Sequence, residues 1–181
     1  MKDTRLSKLR LVITDVDGVL TDGSLYYSAE GEVLKRFNVR DGLGIRMMQR
    51  IGITVAVVSG RASPSLSRRL ADLGITVHRT GIADKGEACR EILAELNVTA
   101  ETAIFVGDDL IDITGFEACG VSAAVGDAPS YVKAAATMTL NTHGGHGALR
   151  ELADAIIVAQ GHEYLLDGGG SFRPADGGAP Q

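Results

Sequence analysis

Two aspartates separated by a single residue follow the apolar run Leu11-Val12-Ile13 in the segment Asp15-Val16-Asp17-Gly18-Val19-Leu20-Thr21. The run reads as a buried strand and Gly18 as the turn that ends it, so both carboxylates stand where a strand gives way to a loop. Close carboxylates repel one another and lose hydration on burial unless a cation or a shared proton relieves them. Their chemistry is that of a metal site or of general acid–base catalysis. A solvated Asp-x-Asp turn has the same local sequence, and the choice rests on what else arrives at the same place.

Three further groups follow other apolar runs. Ser59-Gly60-Arg61 comes after residues 53–58 and offers an anion a hydroxyl, backbone N–H groups and a cation at a helix start. Lys85 follows Asp84 in the first turn of a helical pattern, where the helix dipole disfavours a cation and its placement needs a reason. Gly107-Asp108-Asp109-Leu110-Ile111-Asp112 comes after residues 103–106 and brings a second group of carboxylates. If these runs are parallel strands of one sheet, their ends open on one edge. Asp15, Asp17 and Asp108 then form a hard oxygen site suited to Mg²⁺, with Lys85 and Ser59 on the remaining oxygens of a phosphoryl group.

The elements that must do the positioning are legible in the periodicity. Apolar, β-branched runs at 9–14, 53–58, 75–78, 103–106, 121–125 and 137–140 alternate with helical patterns at 41–51, 63–73, 84–97, 109–118, 129–135 and 147–160. The alternation predicts an α/β fold, a doubly wound, mostly parallel Rossmann-like sheet with helices on both faces and function at the carboxyl ends of its strands. Leu25-Tyr26-Tyr27 and residues 33–37 flank Ala29-Glu30-Gly31-Glu32 and predict a β-hairpin flap after the first strand, with Lys35, Arg36 and Arg40 on or beside it. Residues 1–160 read as one domain, and 161–181, with its glycine clusters, as a flexible tail.

Composition sets the outer bounds. The chain has 181 residues, 45% of them hydrophobic, and a net charge of −5, so it carries no global basic field for nucleic acid or an anionic membrane surface. An anionic ligand needs local cations or a metal. No run approaches the length of a membrane span, and residues 1–10 lack the apolar core of a leader, which makes a cytoplasmic protein the expectation. Cys89 and Cys119 form no metal-binding spacing and read as reduced and inert, and the four histidines share none either.

The ordered set DVDGVLT, SG, K and GDDxxD resembles the haloacid dehalogenase superfamily of phosphatases over about residues 9–140. That resemblance implies Asp15 as the nucleophile that takes the phosphoryl group, and Asp17 as the acid that protonates the leaving oxygen and then activates water. It implies Mg²⁺ held by Asp15, the backbone carbonyl of Asp17 and Asp108, phosphate oxygens bound by Ser59, Gly60 and Lys85, and Asp112 orienting Lys85 or a metal-bound water. From Asp15 to Ser59 there is room for the hairpin and one helix, and from Ser59 to Lys85 for one helix and one strand. Neither interval can hold a cap domain, so the site is open and selectivity for a small substrate needs surfaces from a neighbouring subunit.

DVDGVLTDG, the hairpin, FNVRDGLGI at residues 37–45, SGR, GDDLID and GGxGALRE are together similar to the capless 3-deoxy-D-manno-octulosonate 8-phosphate phosphatase family, from about Leu9 to Gly161. The likeness implies a homotetramer whose hairpins and tails help close neighbouring sites, and hydrolysis of an eight-carbon sugar acid phosphate on the route to lipopolysaccharide. Arg61 and Arg40 become candidates for the side that binds substrate carboxylate and hydroxyls. The family commonly has Arg in the loop Gly144-Gly145-x-Gly147, where this chain has His146, a cation only when its surroundings support one. His146 is read either as altering substrate choice or as capping the last helix. Two other functions are weighed: a sister phosphatase acting on a nine-carbon sugar acid phosphate, and a non-catalytic oligomerisation module of the kind fused to nucleotide-sugar synthetases. Intact Asp15, Asp17, Lys85 and Asp108 speak against the second.

Overall fold

The computed structural model describes residues 4–167. Its sheet has six parallel strands, β1 (Leu11–Thr14), β4 (Thr54–Ser59), β5 (His78–Thr80), β6 (Ala103–Gly107), β7 (Val121–Ala124) and β8 (Met138–Thr139), in the order β5-β4-β1-β6-β7-β8. A separate antiparallel hairpin pairs β2 (Tyr26–Ser28) with β3 (Gly31–Leu34). The helices are α1 (Val39–Arg50), α2 (Pro64–Asp72), α3 (Lys85–Leu96), α4 (Ile113–Ala118), α5 (Ser130–Ala135) and α6 (Ala148–Ala159).

All four residues of β1 are fully buried, as a strand covered on both faces must be. α1 packs on α6 and α3 on α4, while β4 touches both α1 and α3, so helices cover the two sides of the sheet. Edge-to-face packing of Phe105 on Phe116, with centroids 5.9 Å apart, joins β6 to α4.

The winding explains where the site must be. From β1 the chain runs outward through β4 to β5, then returns by α3 to β6 on the other flank of β1 and runs outward again to β7 and β8. β1 is thus the strand at which the direction reverses, and the crevice beyond its carboxyl end lies between the connections that leave β4 and β6. Register keeps the ends level, with Thr14 opposite both Val57 and Val106.

The expected doubly wound α/β sheet is present, with local differences that have identifiable causes. The third strand of the main sheet begins at His78 and not Ile75, because the Ile75 N–H donates to the Leu70 carbonyl and closes the end of α2. The helix expected over 109–118 opens as a 3₁₀ turn, Leu110–Asp112, tightened by the Asp112 carboxylate accepting from the N–H groups of Asp108 and Asp109. The hairpin turns at Ala29-Glu30 and its second strand starts at Gly31, two residues earlier than expected. Of the segment expected to be a tail, Glu163–Leu165 forms a 3₁₀ turn whose Leu165 is buried against Met47 and Ile157. Residues 168–181 lie outside the described residues. No helix among the described residues is long and apolar enough to cross a membrane.

Candidate active site

Asp15 extends β1 by one ladder bond, its N–H donating to the Val106 carbonyl at 2.9 Å, which sets the residue between β1 and β6 with 4% exposure. The chain then winds tightly: the Val16 carbonyl accepts from Val19, Leu20 and Thr21, and the buried Thr21 hydroxyl accepts from the N–H groups of Gly18 and Gly23. Gly18 has a φ of +93°, and a Cβ built there would stand 2.0 Å from Asp108 Oδ2. Only glycine lets the Asp108 carboxylate lie against this loop.

Lys85 is the first residue of α3, whose N-cap Asp84 accepts from the Glu87 N–H at 3.0 Å. Its side chain is 2% exposed and carries its ammonium to 2.9 Å from Asp15 Oδ1 and 2.5 Å from Asp112 Oδ1. The second oxygen of Asp112 accepts from the N–H groups of Asp108 and Asp109 at 2.8 and 3.1 Å. Asp112 therefore ties the loop after β6 to the first turn of α3, fully buried, with Lys85 as the bridge to Asp15.

Asp15, Asp108 and Asp112 each present an oxygen within 4.8 Å of the others. Three carboxylates against one ammonium leave two uncompensated negative charges in a largely buried place, which is the deficit one divalent cation makes good. The same deficit appears as proton affinity. Burial and the charge of Asp112 push Asp15 up to about 6 against the pull of Lys85. Burial, Asp15 and Asp112 push Asp108 up to about 8. Burial opposes the charge of Lys85, yet the Asp15 and Asp112 carboxylates hold its ammonium above the ordinary lysine value.

The Asp17 carboxylate is not part of this cluster. Its Oδ1 is 2.5 Å from the Lys35 ammonium, and its Oδ2 is 3.8 Å from Arg61 Nε. Glu32 joins the two cations that face Asp17, standing 3.2 Å from Lys35 and 2.9 Å from Arg61, and the Arg61 guanidinium also donates to the Tyr27 hydroxyl at 3.0 Å. Ser59 ends β4 on the same edge, 1% exposed, its hydroxyl accepting from the Arg61 N–H at 3.3 Å, with Gly60 between them.

Arg40 and His146 lie together on a second rim. Asn38 caps α1, accepts from the Arg40 N–H and donates to the Gly145 carbonyl at 3.2 Å, so the start of α1 is bonded to the loop before α6. That loop also rests on the Asp15 turn: Gly145 N–H donates to the Val19 carbonyl, and a Cβ on Gly144 would fall 1.7 Å from the Gly18 carbonyl oxygen. His146 is exposed, with Nδ1 2.7 Å from the Gly144 carbonyl. It does not cap α6. That role falls to Asp41, which accepts from the Arg150 N–H at 2.9 Å.

The structure thus brings Asp15, Lys85, Asp108 and Asp112 into one cluster, sets Asp17 and Arg61 in an adjoining one, and leaves Arg40 and His146 on the rim. Sequence reading placed Lys35 beside the flap without a role and passed over Glu32, Tyr27 and Asp41. A cleft of about 130 Å³ beside Asp108, lined by Gly18, Asp22, Asp109 and Asp127 among others, is smaller than a pocket that encloses a metabolite.

A phosphoryl-transfer centre at the reversal point of a capless doubly wound sheet defines the class, and residues 80–152 match the haloacid dehalogenase-like hydrolase family. The chain is 53% identical over 163 residues, 90% of its own length and 91% of the relative's, to the 3-deoxy-D-manno-octulosonate 8-phosphate phosphatase of Haemophilus influenzae. The cobalt-bound structure of the Haemophilus influenzae enzyme superposes with a TM-score of 0.90 at 52% identity, covering 91% of this chain and 96% of that one. A Moraxella catarrhalis 3-deoxy-D-manno-octulosonate 8-phosphate phosphatase, solved with a magnesium ion, a phosphate ion and a KDO molecule, superposes with a TM-score of 0.86 at 31% identity, covering 90% and 94%. The chain belongs to the 3-deoxy-D-manno-octulosonate 8-phosphate phosphatase family.

Proposed function

We propose that this protein is a Mg²⁺-dependent phosphomonoesterase on the route to lipopolysaccharide, and that it hydrolyses 3-deoxy-D-manno-octulosonate 8-phosphate, the ester for which its relatives are named. The observation that carries the chemistry is the buried Lys85 bridging Asp15 and Asp112 with Asp108 alongside. An oligomerisation module freed from catalysis has no reason to keep three carboxylates around one ammonium.

In this reading Asp15 attacks phosphorus as the bond to the leaving oxygen breaks, giving an aspartyl-phosphate, and Asp17 gives its proton to that oxygen. Asp17, now a carboxylate, then takes a proton from the water that attacks phosphorus, and phosphate leaves Asp15. Lys85, the Ser59 hydroxyl and the Gly60 N–H bind the phosphoryl oxygens, and Asp112 positions Lys85. Asp15, Asp108 and the Asp17 carbonyl would hold Mg²⁺, which supplies charge neutralisation for the phosphoryl group when bound.

Residues 1–160 act as one catalytic domain without a cap, and Arg61, Arg40 and His146 face the sugar acid. The hairpin carries Leu25, Tyr26, Val33 and Leu34, each between 39% and 57% exposed, which supports a homotetramer assembled through hairpins. A cytoplasmic setting belongs to the same proposal.

The test is phosphate release from eight-carbon and nine-carbon sugar acid phosphates, with and without Mg²⁺, by the native chain and by Asp15→Asn. Mg²⁺-dependent release from the eight-carbon ester, absent in Asp15→Asn, is expected. No release from any ester would overturn the enzyme reading, and preference for the nine-carbon ester would transfer the substrate to the sister activity.

A further inference from the structure

Asp41, on the first turn of α1, is 2% exposed. Its Oδ1 accepts from the Arg150 N–H at 2.9 Å, while Oδ2 is buried and finds no hydrogen-bond partner among the described residues. Burying a carboxylate for the sake of one helix cap is costly. A polar side chain at the head of the helix does the same work at less expense, as Ser63 does for α2 and Asn38 for α1. At the head of α6 that position is Gly147, with φ +104° and no side chain to offer, and the cap comes across from another helix.

What the crossing cap fixes is the pair of residues on the substrate rim. Arg40 immediately precedes Asp41, His146 immediately precedes Gly147, and both are exposed. A Cβ built on Gly147 would stand 4.0 Å from Arg40 Cβ and Cδ, so the arginine stem lies over the backbone next to His146. The two helices can approach this closely because Gly44 faces α6, where a Cβ would fall 3.1 Å from Arg150 Cα and from Ala153 Cβ. The rim loop has a separate seat on the catalytic turn, through the Gly145 N–H on the Val19 carbonyl. Asp41 is no part of that seat.

We propose that Asp41 is a positioning residue for substrate recognition: by capping α6 from α1 it sets Arg40 and His146 at the spacing at which they receive the carboxylate and hydroxyls of the sugar acid together. The proposal rests on the phosphomonoesterase reading and deepens its substrate side. Asp41 touches neither the substrate nor the carboxylates around Lys85, so its effect belongs to binding and not to phosphoryl transfer.

The aryl ester p-nitrophenyl phosphate brings a phosphoryl group to the site with no carboxylate or sugar hydroxyl for the rim to hold. The experiment is steady-state kinetics on the eight-carbon sugar acid phosphate and on p-nitrophenyl phosphate, by the native chain, Asp41→Ala, Asp41→Asn, Arg40→Met and the double variant Arg40→Met with Asp41→Ala. In Asp41→Ala, KM for the sugar acid phosphate is expected to rise about tenfold with kcat within about twofold of native, and KM for the aryl ester to stay as it is. Asp41→Asn keeps an oxygen for the Arg150 N–H and recovers most of the loss. In the double variant the two rises in KM are far from additive, because Asp41 acts through Arg40 and its neighbour. Equal changes on both esters, a fall in kcat alone, no recovery in Asp41→Asn or additive rises would overturn the positioning role while leaving the phosphatase reading intact. A native chain that hydrolyses neither ester would overturn the phosphatase reading and this proposal with it. If Asp41→Ala does not fold, Asp41→Glu carries the test, since one added methylene shifts the tie between the helices: a rise in KM confined to the sugar acid phosphate is expected, and an unchanged KM would contradict the role.

Discussion

Lys85 is the residue on which the acidic cluster depends, since among the described residues it is the one cation within reach of both Asp15 and Asp112. Replacing it by Met leaves three buried carboxylates facing one another. Lys85→Met is expected to destabilise the metal-free protein by about 3–5 kcal/mol in urea unfolding, and to lower kcat by about a hundredfold or more. The cluster also predicts how Mg²⁺ binding follows pH. Folding raises the proton affinity of Asp15 to about 6 and of Asp108 to about 8, so without metal their contribution to stability is lost as pH rises from the ordinary carboxylate range through those values. Mg²⁺ takes the deprotonated form and expels those protons. The rise in Tm on adding Mg²⁺ should therefore be larger near pH 8 than near pH 6, with proton release measurable by calorimetry in buffers of different ionisation enthalpy. Gly18→Ala should abolish that rise, because its Cβ would occupy the place of the Asp108 carboxylate.

At the scale of elements, the loop before α6 joins the substrate rim to the catalytic turn, and Glu151 holds it. The Glu151 carboxylate accepts from the Asn141 N–H and side-chain amide at 3.0 Å and from the Thr142 N–H at 2.8 Å. Burial works against its charge, but these donors hold it below the ordinary glutamate value. Its contribution is present above that value and is lost as pH falls through the lowered one. Glu151→Gln is expected to cost about 1 kcal/mol at neutral pH, with the difference from native vanishing at acid pH in denaturant titrations. This element was legible only in part. The strand and helix pattern and the strand-end motifs were open to reading because period and spacing are local. Asp41 capping α6 from α1, and Glu151 holding a loop ten residues before it, depend on contacts that no periodicity encodes. Lys35 was hidden for the same reason: on a hairpin of exposed strands its spacing says surface, and only the fold back onto Asp17 buries it.

For the whole molecule, the lack of a cap leaves the active-site edge open, and the hairpin displays more apolar surface than an isolated chain gains from showing. Assembly through the hairpins is part of the proposed function. On the proposed homotetramer, Leu34→Glu, opposite Tyr26 in the hairpin, should lower the native mass in sedimentation analysis and raise KM more than it lowers kcat. The central claim is that the carboxylate at the end of β1 carries the phosphoryl group. Acid quenching of the enzyme during turnover of a ³²P-labelled sugar acid phosphate, followed by peptide mapping, tests it most directly. The account predicts label on the peptide bearing Asp15 and none in Asp15→Asn; label on another residue, or turnover with no protein-bound phosphate at any time, would contradict it.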